Sequence, residues 1–85
     1  MRKLKEYDIS AIIGNMNHGY EIKCAKIKDG DCTDSEHYGI VLGVNQEGHY
    51  VTWQFHLDEH ERPSYYWGNY FNTNEERAIA DYELR

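Results

Sequence analysis

In the stretch HYVTWQFHL, residues 49–57, apolar and polar side chains take strict turns. Val51, Trp53, Phe55 and Leu57 fall on one side, and Tyr50, Thr52, Gln54 and His56 on the other. Strand side chains point alternately to the two faces, so this period of two predicts a strand with one buried face. The same alternation opens at Tyr20, with Tyr20, Ile22 and Cys24 set against Glu21 and Lys23, and predicts a strand over Tyr20–Ile27. HYGIVLGV, residues 37–44, is β-branched and aromatic and reads as a strand central in the sheet. NQEG, residues 45–48, has the composition of a short hairpin loop, with Gly48 free to take a positive φ. SYYWGNYF, residues 64–71, reads as a fourth strand with Tyr65, Trp67 and Phe71 on the core face and Tyr66 and Tyr70 on the other.

The pattern changes to the helical period at both ends. Ile9, Ile12, Ile13 and Met16 form one apolar stripe behind Asp8, which is placed to cap the opening turn, and Gly19 is placed to end the helix. Near the other end Thr73 and Glu76 match the S/T-x-x-E capping box, and Ala78, Ile79 and Tyr82 give the following helix an apolar side. The order is α-β-β-β-β-α. Strands in a block with a helix at each end predict an α+β fold, a four-stranded antiparallel sheet with both helices packed on one face.

Composition adds size and charge. Eighty-five residues support one core, hence one domain over 1–85, and eight Tyr, two Trp and two Phe supply its buried area. The net charge of −6 is unevenly spread: +3 over residues 1–28 and −9 over 29–85. An acidic majority disfavours general binding to phosphate backbones and suits protein partners with basic surfaces. Two cysteines, Cys24 and Cys32, are fewer than a disulfide-stapled secreted domain carries, and no segment approaches the ~18 apolar residues of a membrane span. A soluble, cytoplasmic protein with reduced thiols is the expectation.

Few residues group in a way that suggests catalysis or metal binding. His56, Glu59 and His60 spell H-x-x-E-H, a zinc-hydrolase order, but that chemistry needs both histidines on one helix, and here they follow a strand and precede Pro63. The segment reads as a charged turn, with no metal. DGDCTDSEH, residues 29–37, places oxygen side chains at alternate positions but lacks the glycine and terminal glutamate of a calcium loop. Cys24 falls in mid-strand, and Cys32 in a loop whose carboxylates dull a thiol. The chain carries no nucleophile elbow, phosphate loop or dinucleotide fingerprint, so no catalytic residue is assigned.

What stands out is aromatic. Tyr50, Tyr66 and Tyr70 share the predicted open face with Gln54 and His56, and tyrosine offers contact area at low entropic cost. The segments YDISAIIGNM, GYEIKCAKI, YGIVLG, YVTWQFHLDE and SYYWGNYF together resemble a group of small uncharacterised accessory proteins carried by mobile elements of Gram-positive gut bacteria. That resemblance implies a cytoplasmic accessory protein and assigns no catalytic residue; no cofactor is expected, and by analogy of class small acidic proteins of mobile elements are sometimes inhibitors of host defence. The expected function is a non-enzymatic protein-interaction module, an acidic inhibitor or nucleic-acid mimic, using Tyr50, Gln54, His56, Tyr66 and Tyr70. A homodimer through that face would use the same chemistry. The alternative is a small nucleic-acid-binding protein using Lys23, Lys26 and Lys28, and the third reading a metal-dependent hydrolase through His56, Glu59 and His60.

Overall fold

Strand β4 (Tyr50–Leu57) organises the molecule, and its two faces are covered by different helices. The computed structural model describes residues 4–28 and 38–85. In chain order these form α1 (Glu6–Ile12), β1 (Met16–Asn17), β2 (Tyr20–Ile27), β3 (Gly39–Asn45), β4, β5 (Pro63–Asn72) and α2 (Glu75–Leu84). The strands pair antiparallel in sequence order, β1-β2-β3-β4-β5, in one curled sheet. The fold is α+β, with five strands where four were expected. The acidic loop from Asp29, with Cys32, lies outside the described residues.

The extra strand comes from the chain behind α1. Asp8 does not cap this helix from outside; it sits inside the first turn, where its Oδ2 accepts the Lys5 N–H at 2.8 Å. Helix propensity then fails at Gly14, which takes φ +93. Ile9 and Ile12 are buried, while Ile13 and Met16, beyond the helix, are exposed. The chain instead folds back through His18 and Gly19, both at positive φ as a two-residue hairpin turn demands, so Gly19 makes a turn between strands and not a helix end. The later hairpin forms as the sequence predicts: Gly48 has φ +80, and the Asn45 side chain accepts the N–H groups of Glu47 and His49. β3 is the central strand.

Val51, Trp53, Phe55 and Leu57 of β4 pack with Leu4, Ile9, Ile12, Ile22 and Val41 in the main core under α1. The intervening Tyr50 and Thr52 bond to Glu75 and Asp81 of α2. Since neighbours along a strand point to opposite faces, the helices lie on opposite sides of the sheet, not on one. Ile40 and Leu42 are also buried, out of the α1 core and flanking Val41, which places them on the α2 side beneath Ala78, the buried residue of that helix.

Three register shifts decide which side chain goes where. In β2, Ile22 pairs with Gly43 and Cys24 with Leu42, so Lys23 is an inserted residue. Cys24 therefore leaves the Tyr20–Ile22 side predicted for it and joins Lys26 on the α2 side. In β5, Asn69 pairs with Thr52 but Tyr66 with Gln54, so Trp67 and Gly68 together stand opposite Trp53. This bulge leaves Trp67 71% exposed. Asn72 pairs with Tyr50 and Tyr70 with Val51, so Phe71 is a further inserted residue, half-buried outside the main core; neither ring fills the core face assigned to it. At the end of β5 the cap of α2 is Asn74, whose side chain accepts the Arg77 N–H at 3.1 Å, in place of the Thr73–Glu76 box. Among the described residues no helix is long and apolar enough to cross a membrane.

Candidate functional site

The H-x-x-E-H segment straddles the end of β4 and a tight turn. Asp58 makes that turn: its Oδ1 accepts the N–H groups of His60 at 2.8 Å and Arg62 at 2.9 Å, while its own N–H donates to the Arg62 carbonyl. The bond from Arg62 N–H, with that from His60, holds the Asp58 carboxyl below the usual carboxylate range. Glu61 closes the loop at φ +63. His56 thus lies on a strand while Glu59 and His60 lie in the turn beyond it. Among the described residues no three His, Cys, Asp or Glu side chains gather where one ion could hold them.

His56 belongs to a different grouping. Its ring lies 5.3 Å from that of Tyr66, and the Tyr66 ring lies 5.2 Å from that of Trp67, nearly perpendicular to it. Gln54, paired with Tyr66 across the ladder, donates from Nε2 to the Tyr66 hydroxyl at 3.3 Å. The four make a stripe along β4 and β5 from the acidic turn to the end of α2. The His56 Nδ1 is buried there without a hydrogen-bond partner among the described residues.

Trp67 is the unusual member. It takes φ +53, a left-handed conformation that a bulky side chain rarely adopts and that glycine normally fills at such a bulge. The next position tolerates only glycine, because a Cβ on Gly68 would meet Trp53 Nε1 at 2.6 Å.

Of the five predicted contact residues, Gln54, His56 and Tyr66 come together. Tyr50 is on the same face but turned to α2, where its hydroxyl donates to Glu75 Oε2 at 2.5 Å; that bond to a carboxylate raises the phenol's pKa. Tyr70 is a correction. Beyond the bulge the alternation is inverted, so Tyr70 lies on the α1 side, its ring 6.1 Å from Tyr20 and 6.2 Å from Trp53. Tyr65, on that side as predicted, has a buried hydroxyl without a partner among the described residues, and burial pushes its pKa up. Trp67 was missed as a contact residue. Its signal in the sequence was the glycine after it, since an isolated glycine within a strand marks a bulge.

Two of the three lysines of the nucleic-acid reading are engaged elsewhere. Lys23 pairs with Glu21 at 3.2 Å, and Lys26 donates to the Glu83 carbonyl with its ammonium 4.7 Å from the centre of the Tyr82 ring. Burial, with the Cys24 thiol nearby, pushes Tyr82 up to about 12.

Set beside protein-family models, curated proteins and solved structures, the chain matches none of them.

Proposed function

We propose that this chain is a non-enzymatic protein-interaction module whose contact surface is the stripe of Gln54, His56, Tyr66 and Trp67. The observation that carries the reading is Trp67, a large apolar side chain held outward in a left-handed backbone conformation. That conformation costs on the order of 1–3 kcal/mol in a non-glycine residue, and such strain collects at binding and catalytic positions. Exposed tryptophan and tyrosine are also the side chains that most often anchor protein interfaces.

The net charge of −6 favours a partner with a basic surface, and an acidic domain seated there excludes nucleic acid from it. An inhibitor of that kind, carried as an accessory protein of a mobile element, would act in the cytoplasm.

The test is affinity capture from host lysate with wild type and Trp67→Gly in parallel, together with sedimentation of each. The reading expects a captured protein that the variant loses while its melting temperature does not fall. A protein captured equally by both would overturn the assignment of the stripe. A wild-type dimer that Trp67→Gly converts to monomer would make a second copy the partner.

A further inference from the structure

The bulge that presents Trp67 is gripped from one side by the last turn of α2. Asp81 Oδ2 accepts the side-chain N–H of Asn69, the residue just past the bulge, at 3.1 Å and the Thr52 hydroxyl at 2.6 Å. One turn later, at the C-cap of α2, the guanidinium of Arg85 donates to the Thr52 hydroxyl at 3.1 Å and the Thr52 carbonyl at 3.3 Å through Nη1. Its Nη2 donates to the carbonyl of Trp67 at 2.8 Å. Thus Asn69 and Trp67 on β5, and Thr52 opposite them on β4, are tied to two side chains of one helix.

A bulge leaves main-chain groups without a ladder partner, and a charged donor satisfies such a carbonyl more strongly than a neutral one. The planar fork of arginine suits it to meet several acceptors at once, which the single ammonium of lysine does less well. Trp67 occupies a conformation its own side chain disfavours, so something outside it must hold the backbone there.

We infer that Arg85 is a positioning residue for the recognition stripe, fixing Trp67 in its left-handed, outward conformation through the Trp67 carbonyl. This rests on the reading of Trp67 as the contact residue. The C-terminal end of α2 thereby sets the geometry of a surface to which the helix contributes no ring of its own.

The experiment is nuclear magnetic resonance of the free protein, with no partner present. A positive φ brings the amide and α protons of one residue close together, giving a strong intraresidue Overhauser contact. Wild type shows that contact at Trp67; Arg85→Gln weakens it, Arg85→Lys restores it in part, and Arg77→Gln on the same helix leaves it unchanged. An undiminished contact in Arg85→Gln would overturn the inference. Should Arg85→Gln loosen the helix as a whole, the melting temperatures of a double-mutant cycle decide. Glycine holds a positive φ unaided, so Arg85→Gln is expected to lower the melting temperature less in a Trp67→Gly background. Equal losses in both backgrounds would refute the role. Because none of these readouts needs a partner, loss of the stripe's proposed binding function would be seen separately, in capture.

Discussion

The hydroxyl of Thr52 donates to Asp81 across 2.6 Å, and Thr52 itself has no exposed surface. A buried threonine with a carboxylate partner and the Arg85 guanidinium on the same oxygen is the joint between sheet and helix. Thr52→Val keeps the shape and removes the donor. It is expected to destabilise the protein by about 1.5–3 kcal/mol, the usual worth of a hydrogen bond to a charged group. Denaturant titration reads the loss, and amide exchange should show α2 opening before the sheet.

Two glycines admit no side chain. A Cβ on Gly39 would lie 2.3 Å from the Lys26 carbonyl and 2.5 Å from the Phe55 ring, and on Gly68 it would press on Trp53. Gly39→Ala is expected to be the worse of the pair, because a paired backbone cannot step aside. Gly68→Ala should cost about 1–3 kcal/mol as overpacking, read from thermal melts, and should shift the fluorescence of the buried Trp53.

Alkali offers a third check. Tyr82 is held neutral up to about 12 in the folded protein, against a usual tyrosine value near 10. A folded pKa above the unfolded one means that this contribution to stability is whole below about pH 10 and is lost as pH rises through about 12. Phenolate absorbance should therefore show a late-titrating tyrosine that Tyr82→Phe removes. At the acid end Asp58 has the opposite sign: its lowered pKa supports the fold above the ordinary carboxylate value and ceases to as pH falls through the folded one.

Trp67→Gly should raise stability even as it removes the proposed contact. Releasing about 1–3 kcal/mol of left-handed strain outweighs the roughly 0.5–1 kcal/mol that glycine adds in unfolded-chain entropy. Denaturant midpoints would measure the gain. A fall in stability would mean that Trp67 packs more than it strains.

Much of the fold is written in local pattern. The alternation of β4 predicts its two faces correctly because no bulge interrupts it, and the loop at Gly48 follows from turn chemistry. The failures are failures of parity. One inserted residue at Lys23 sends Cys24 to the other side of β2, and one at Trp67–Gly68 separates Tyr70 from Tyr66, so the predicted tyrosine face is divided between two sides of the sheet. The placement of the helices had a signal as well. Ile40, Val41 and Leu42 are consecutive apolar residues, as befits a strand covered on both faces, and this run pointed to a helix on each side. The two-residue β1 is too short for any period to reveal it.

The bulge of β5 bears on solubility too. β5 is the last strand of the sheet, ten residues long, and its outer edge has no strand partner among the described residues. Flat, uninterrupted edges of that length nucleate aggregation, and natural proteins break them with bulges and proline. Here Pro63 opens the strand and the left-handed step at Trp67 interrupts its middle. The backbone irregularity that turns an indole outward thus also spoils the template for amyloid-like stacking. A variant that straightened β5 to bury Trp67 is expected to lose colloidal stability before it loses its fold.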